Sequence, residues 1–264
     1  MRIILSLQGQ FSSKARLFGL ATCLIAVTAC GSGSGEAGSS DGSATTAEVA
    51  ETSAASALNS LSDEEVAAGW ELLFDGESMQ GWRNFKQESI GGWEVSEGVM
   101  FTTGGGGDIV TERQFGDFEL ELEWRIESGG NSGIFFWVTE DEALDRMWQS
   151  GPEYQIIDDH NYSIDLLDNQ KTAALADIFP ADLETEQIAE QWNSAKVRVE
   201  NGNVEHWYNG ELVLEYTIGS DEWNERVEAS KFDASYFGAS RTGLIGLQDH
   251  GDPVYFRSIR IREL

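Results

Sequence analysis

The sequence predicts an all-β fold in which two antiparallel sheets pack face to face, with only minor short helices. Apolar and charged residues alternate with a period of two, most regularly over Phe118–Ile126, which is typical of a strand with one buried and one solvated face. Asn-Gly pairs at 201–202 and 209–210 separate similar runs and favour tight hairpin turns. Because no sustained βαβ pattern occurs, a two-sheet sandwich is the economical architecture.

Strands are predicted in chain order wherever this alternation recurs between turn signals. They cover residues 93–95, 99–101, 118–126, 134–138, 154–157, 197–200, 204–208, 212–216, 244–248 and 254–261. A short helix is predicted over 61–68, because Ser62 can cap its N-terminus and acidic residues fill its first turn. A second helix is predicted over 182–191.

The first 29 residues have the composition of a signal peptide. Arg2, Lys14 and Arg16 form a basic start, and the apolar stretch Leu17–Val27 is too short to span a bilayer. Small residues then lead directly to Cys30, an arrangement that resembles a bacterial lipobox, in which the cysteine is acylated and becomes the new N-terminus.

Residues 30–68 are rich in Gly, Ser, Ala and Glu and are predicted to be a flexible tether between the lipid and a globular domain at 69–264. We therefore expect a lipid-anchored protein of the bacterial cell envelope that contacts the membrane through its lipid. Gly31, rather than Asp, follows the cysteine, which favours the outer membrane by resemblance to the sorting rule of Gram-negative lipoproteins.

Composition narrows the classes of partner and chemistry. The formal net charge is −29, and loss of the three basic residues of the leader would make it −32. Because such a surface repels phosphate backbones, nucleic acid is not expected as a partner. With Cys23 removed and Cys30 acylated, no thiol would remain for a disulfide, a metal site or a nucleophile.

Short motifs recur along the globular part in a characteristic order and spacing. They are Leu73–Gly76 with Gly81–Trp82, Gly107–Thr111, Phe115–Leu120, Asn131–Phe136, Glu153–Asp158, Trp192–Asn193, His206–Gly210, Ser230–Phe232 and Gly246–Arg257. Together they resemble the 3-keto-disaccharide hydrolase domain family. The resemblance covers residues 69–264 and implies a concanavalin A-like jelly roll whose concave sheet carries a carbohydrate site.

The resemblance also implies a reaction, the cleavage of glycosides oxidised at C3. A C3 ketone acidifies the C2 proton, a base removes it, and the aglycone leaves C1 by elimination before water adds back. The sequence lacks the paired-carboxylate strand of laminarinase-type glucanases. Residues 69–264 also lack the Gly-x-Ser-x-Gly, His-Glu-x-x-His and dinucleotide motifs, and the run Gly104–Gly107 contains no Lys and is interpreted as a flexible rim loop.

Two residues are candidate catalytic bases. Glu153 and Gln155 are two positions apart on one strand and must share a face, opposite core-facing neighbours. The alternative is a pair of polar residues on a solvated face, and the resemblance favours the site, because the family's Glu-x-Gln strand lies on the concave face. His250 follows a strand at the predicted rim, where an imidazole titrates near neutrality.

Other residues are predicted to contact the sugar. Asn131, Gly133, Phe135 and Trp137 alternate along one strand and are predicted to share a face, so Gly133 would leave room for a ligand and Trp137 would offer a stacking platform. Trp148 is a second candidate platform. The remaining candidate contacts are polar residues of the matching motifs: Gln155, Asp158, His206, Lys231, Gln248, Asp249 and Arg257. His206 has an alternative role within its hairpin, and Arg257 as a surface strand residue.

The only cofactor considered is a hard divalent cation. Asp158, Asp159 and His160, with Glu153, supply the oxygen and nitrogen ligands that such an ion accepts. The alternative is a solvated turn. No oligomeric state is predicted.

Three positions depart from the family. Related sequences often carry Arg, Tyr and His where this chain has Trp137, Ala176 and Leu244. If these side chains touch substrate, their loss predicts altered specificity, or an alternative function as a carbohydrate-binding module without catalysis. A structural envelope protein is a third hypothesis.

Overall fold

A computed structural model of the chain describes residues 58–183 and 189–264. Two antiparallel sheets, one of eight strands and one of five, pack face to face, which confirms the predicted two-sheet sandwich. The predicted leader, the lipid attachment at Cys30 and most of the predicted tether lie outside the described residues. No helix within the described residues is long and apolar enough to cross a membrane.

The strands follow one another closely along the chain. Their bounds are β1 (Glu71–Leu72), β2 (Trp82–Asn84), β3 (Glu94–Ser96), β4 (Val99–Thr102), β5 (Ile109–Phe115), β6 (Phe118–Ile126), β7 (Asn131–Val138), β8 (Glu153–Ile157), β9 (Asn193–Glu200), β10 (Asn203–Tyr208), β11 (Glu211–Thr217), β12 (Gly243–Leu247) and β13 (Val254–Glu263). The larger sheet has the order β11-β10-β9-β6-β13-β4-β3, with β1 also paired to β13, and the smaller sheet has the order β2-β5-β12-β7-β8.

The turns that connect the larger sheet are those expected from the sequence. Asn201 and Gly202 have φ values of 52° and 82°, and Asn209 and Gly210 have values of 48° and 86°. Two successive left-handed residues twist a hairpin in the same sense as its strands, which is why Asn-Gly is favoured there. These two turns fix the β9-β10-β11 meander.

The main core lies between the two sheets. Its largest fully buried members include Phe118 and Trp124 of β6, Phe136 of β7 and Phe256 of β13. The smaller sheet is covered on its other face as well, and every residue of β7 is buried. There a second apolar cluster forms from Val110, Phe135, Val138, Met147 and Leu244.

Two α-helices in the described part of the chain flank the sheets. Helix α1 (Asp63–Ala67) begins after Ser62, whose side chain forms a capping box with Glu65, and it confirms the first predicted helix. Helix α2 (Asp221–Glu228) was not predicted, although Ser220 caps it and Trp223 and Val227 bury one of its faces. In the second predicted helix, residues 184–188 lie outside the described residues, and the described residues on either side are not helical.

Candidate active site

A polar cleft of about 470 Å³ opens on the smaller sheet. It is lined by residues of β7 and β8, by the segments after β8 and β12, and by loops that reach across from elsewhere in the chain. Its polar and aromatic lining consists of Asp108, Asn131, Arg146, Trp148, Glu153, Gln155, Tyr162, Gln170, Asp177, Lys231, Gln248, Asp249 and His250.

A larger cavity of about 790 Å³ lies between residues 58–65 and strands β6, β9 and β13. Its carboxylates are already paired: Glu65 and Glu121 with Arg260, and Glu123 with Arg257. A carboxylate held in an ion pair is a poor acid or base. The smaller cleft on the other sheet is therefore the better candidate for chemistry.

Strand β8 presents the pair of polar residues predicted from its alternation. Tyr154 and Ile156 belong to the core between the sheets, whereas Glu153 and Gln155 line the cleft. The far edge of β8 is covered by residues 173–176, because Ala173 N donates to Gln155 O at 2.9 Å and Ala176 N donates to Glu153 O at 3.1 Å. The strand that carries Glu153 is thus held on both sides.

The Glu153 carboxyl group is only partly accessible from the cleft. Burial raises its pKa to about 8, nearby Asp177 and Asp108 add to this increase, and the positive charge of Lys231 opposes it. Within the described residues, no donor forms a hydrogen bond with its oxygens. A carboxyl group with a pKa near neutrality can accept and return a proton at physiological pH.

A cation lies beside this carboxyl group. Lys231 Nζ is 2.5 Å from Asp177 Oδ2 and 5.4 Å from the centre of the Trp148 ring. Asp177 is held in turn by Gln170, whose Nε2 donates to Oδ1 at 2.7 Å. This chain of contacts fixes a positive charge near Glu153, where negative charge on a bound substrate would be stabilised.

Two residues that line the cleft each have a buried side-chain oxygen with no partner within the described part of the chain. These oxygens are Asn131 Oδ1 and Gln248 Oε1. Asn131 Nδ2 donates to Tyr162 Oη at 3.3 Å, and Gln248 N donates to Gly133 O at 3.0 Å, so the Asn131 side chain and the Gln248 backbone are positioned by their neighbours. An unpaired buried acceptor is costly. Sugar hydroxyl groups are donors that would satisfy both oxygens.

The turn after β12 has two different roles. His250 is exposed at the edge of the cleft. Asp249 also lines it, but its carboxylate accepts hydrogen bonds from the backbone N–H groups of Gly106, Gly107 (2.8 Å) and Gly251 (2.9 Å). Asp249 was predicted to contact substrate, but its carboxylate is used in these structural hydrogen bonds. The same bonds hold Gly106 and Gly107 of the predicted rim loop against this turn.

The predicted stacking platform at Trp137 is wrong. Its side chain is only 1% exposed, and its Nε1 donates to Gly116 O at 2.8 Å. Leu244 pairs with Val138 and Gly246 pairs with Phe135, so a step of two positions along β12 corresponds to a step of three along β7, and Trp137 has a φ of 53°. This bulge breaks the alternation and turns the indole into the core between the sheets.

Two other predicted contacts, Asp158 and Arg257, do not reach the cleft. Asp158 is 1% exposed and accepts from the backbone of Gly129, His160 and Asn161 at 2.7 to 3.1 Å, so it closes a turn. Arg257 belongs to the larger sheet and pairs with Glu123 at 2.9 Å. Both residues are structural.

His206 is likewise structural, because it is completely buried. Its Nδ1 donates to Ala173 O at 2.8 Å, and Tyr216 Oη lies 3.2 Å from Nε2. Burial lowers the pKa of this imidazole to about 4. A neutral ring locked between two partners packs the core and does not exchange protons with a substrate.

The structure does not assemble the predicted metal ligands. Asp158 uses its oxygens in the turn, and Glu153 lies in the cleft. Among residues 58–183 and 189–264, no group of three or more His, Cys, Asp or Glu is arranged to hold a metal ion.

The departures from the family fall in different environments. Leu244 packs in the second apolar cluster, whereas Ala176 lines the cleft, so a tyrosine lost there widens the binding space. Gly133 leaves room as expected, but the Glu153 side chain occupies that room: its Cγ and Cδ lie 2.9 Å from where a Cβ at Gly133 would be.

Several cleft residues were missed by sequence reasoning. Asp108 lies within the motif Gly107–Thr111, and Asp177 follows the departure at Ala176, so their positions offered a signal. Arg146 and Tyr162 lie in irregular segments, where no periodicity indicates direction. Burial raises the pKa of Asp108, while a hydrogen bond from Asp249 N and the charge of Arg146 oppose that increase.

Comparison with known proteins agrees with this geometry. A family described as the 3-keto-alpha-glucoside-1,2-lyase-like domain matches residues 69–262. The 3-keto-disaccharide hydrolase of Bacteroides thetaiotaomicron is 34% identical over an alignment of 289 positions, and the alignment covers 95% of this chain and 99% of that protein.

Solved structures give the same result. A candidate glycosyl hydrolase from Parabacteroides distasonis is 36% identical with a TM-score of 0.75, covering 78% of this chain and 99% of its own. A second candidate glycosyl hydrolase from that organism, 22% identical with a TM-score of 0.59 over 74% and 99% of the two chains, shares the fold. The chain belongs to the 3-keto-alpha-glucoside-1,2-lyase-like domain family.

Proposed function

We propose that this protein cleaves glycosides that carry a ketone at C3, and that Glu153 is the base that removes the C2 proton. The observation that carries the proposal is the Glu153 carboxyl group, which lines the cleft with a pKa raised to about 8 and with Lys231 close by. The family to which the chain belongs and its Bacteroides thetaiotaomicron relative agree with this substrate class.

The reaction follows from the acidity of the substrate. The Glu153 carboxylate takes the proton from C2, and the C–H electron pair forms an enolate whose negative oxygen is at C3. The positive charge of Lys231 and the amide of Gln155 are the stabilising groups on this side of the cleft. A carboxylate with a raised pKa is a stronger base than an ordinary one, which favours the transfer.

Loss of the aglycone completes the first half of the reaction. The enolate electrons form the C1–C2 double bond, the bond from C1 to the glycosidic oxygen breaks, and the released alkoxide takes up the equivalent of the proton that Glu153 removed, which regenerates the carboxylate. Water then adds across the new double bond, its hydroxyl to C1 and its proton to C2. The sum is hydrolysis, and no pair of glycosidase carboxylates is required.

Asn131 and Gln248 suit the binding of the sugar itself. Both residues line the same cleft as Glu153, and each has a side-chain oxygen without a partner in the described part of the chain, so a ring whose hydroxyl groups donate to them would be held by two hydrogen bonds. Those bonds exist only when substrate is present, so part of the cost of these buried acceptors in the free protein is recovered on binding.

The experiment compares a 3-keto-glucoside with its unoxidised parent. We expect release of the aglycone from the keto sugar alone, and loss of deuterium from a substrate labelled at C2. Equal release from both sugars would contradict the proposal. Binding of either sugar without release would instead identify a carbohydrate-binding module.

We propose further that Cys30 is acylated and that the mature protein is attached to the bacterial outer membrane. The apolar stretch and small residues before Cys30 support this. We expect a Cys30→Ser variant to remain unprocessed and to leave the detergent phase on partitioning. Unchanged maturation and partitioning would overturn this localisation.

A further inference from the structure

Arg146 is exceptional among the cations of this protein. The sequence has 46 acidic and 17 basic residues, and most of the basic side chains in the described part of the chain are paired with a carboxylate. Within the described residues, every other Lys or Arg contacts a carboxylate, a backbone oxygen or an aromatic ring. Arg146 has no such partner there, and it lines the cleft.

The backbone that carries Arg146 is firmly held. Met147 is fully buried in the second apolar cluster. The Gln149 side-chain oxygen accepts from Asp145 N at 2.6 Å and from Arg146 N at 2.8 Å. Arg146 therefore emerges from a fixed turn, with Trp148 following two residues later on the same wall.

Arg146 and Glu153 have different charged neighbours. The neighbours that shift the pKa of Glu153 are Lys231, Asp177 and Asp108. Asp108 is affected in turn by Arg146, Asp249 and His250. Arg146 is thus not among the charged neighbours of Glu153, although both line the cleft with Asp108, so a sugar with its C2 at Glu153 would meet Arg146 through a more distant part of the molecule.

We infer that Arg146 binds a carboxylate on the aglycone, and that the preferred substrates are 3-keto-glycosides of an acidic sugar or of another carboxylated alcohol. This inference rests on the proposed function and adds to it the class of the leaving group. A guanidinium group donates only, and its planar fork matches the two oxygens of a carboxylate. Because the protein is strongly acidic, an unpaired cation is where an anionic substrate would be accepted.

The test uses two 3-keto-disaccharides that differ only at C6 of the leaving sugar, glucose in one and glucuronate in the other. For the wild-type protein we expect kcat/KM to favour the glucuronate by about tenfold at low salt, mainly through KM. The preference should decrease in 0.5 M NaCl, because an exposed ion pair is screened. Arg146→Gln should reduce the ratio to about one, and Arg146→Lys should retain part of it.

Arg226→Gln is the matched control, because Arg226 is an exposed arginine paired with Glu222 outside this cleft. It should leave the ratio unchanged. A wild-type protein without preference, or an Arg146→Gln protein that keeps it, would overturn the inference. If neither keto sugar is cleaved, the proposed function fails. The carboxylate site is then tested separately by calorimetric binding of the two unoxidised disaccharides to the wild-type and Arg146→Gln proteins. Equal affinity of the wild-type protein for the two disaccharides would overturn the inference about Arg146.

Discussion

Glu153 lies over Gly133, and its side chain fills the space that any other residue at position 133 would need. The Cγ and Cδ atoms of Glu153 are 2.9 Å from the position of a Cβ at Gly133. The two residues are on adjacent strands, and Gly133 pairs directly with Gln155. Because Gly133 on β7 has no side chain, the carboxyl group of Glu153 on β8 can lie against the sheet, where burial raises its pKa.

The first prediction is that Gly133→Ala reduces activity far more than stability. The new methyl group must push the Glu153 carboxyl group away, and a displacement of about 1 Å can cost about 10²-fold in rate. The measurements are kcat on a 3-keto-glucoside and the thermal midpoint. Gly116→Ala is the control, since a Cβ there meets its nearest neighbour at 3.8 Å. Full activity in Gly133→Ala would show that the carboxyl position does not matter.

The second prediction concerns catalysis by Glu153→Gln. The change is nearly isosteric and removes the base, so kcat should fall by about 10²- to 10⁴-fold. Wild-type activity should rise with pH toward a pKa of about 8, because the carboxylate must be ionised to act. His250→Asn is the comparison, because His250 is the rival base predicted from sequence. We expect its rising limb to persist. A His250→Asn protein without the limb, beside an active Glu153→Gln protein, would transfer the role to the histidine.

The third prediction is that Glu153 destabilises the folded protein at alkaline pH. Its pKa is about 8 when folded and near 4.5 when unfolded, so the folded state binds more protons between these values and the free energy of unfolding falls as pH rises through them. Each unit of pKa difference corresponds to about 1.4 kcal/mol. Glu153→Gln should therefore be more stable than wild type by a few kcal/mol above pH 8, and this advantage should shrink steadily toward pH 4.5. Denaturant unfolding at several pH values measures it, and a constant difference would contradict the buried acid.

The fourth prediction concerns His206 and acid. Its pKa falls from 6.5 to about 4 on folding, so the unfolded state binds the extra proton between these values and stability is lost as pH falls through that window. The contribution is about 3 kcal/mol when complete. His206→Gln should lower stability at pH 7 by about 2–4 kcal/mol and should flatten the acid slope. His160→Gln, at an exposed histidine, is the control. An unchanged slope in His206→Gln would mean that other groups drive acid unfolding.

The sequence determined those features that depend on neighbouring residues. Alternation with a period of two requires Glu153 and Gln155 to share a face, wherever β8 lies in the sheet. Asn-Gly turns and the Ser62 cap are equally local, because the same few residues that make the pattern also make the hydrogen bonds. The resemblance of the short motifs to the family implied the jelly-roll fold and the substrate class.

Only the tertiary structure decided which side chains meet. Strand β7 is buried on both faces, so its apolar run carries no alternation to mark a cleft-facing side, and the bulge at Trp137 reverses one side chain without a sequence signal. Irregular segments far apart in the chain carry three of the cleft residues, Asp108, Arg146 and Lys231. These residues come together only when the loops have packed against the sheet. The physical reason is that parity is set by the geometry of a few consecutive residues, whereas a site is set by packing between distant ones.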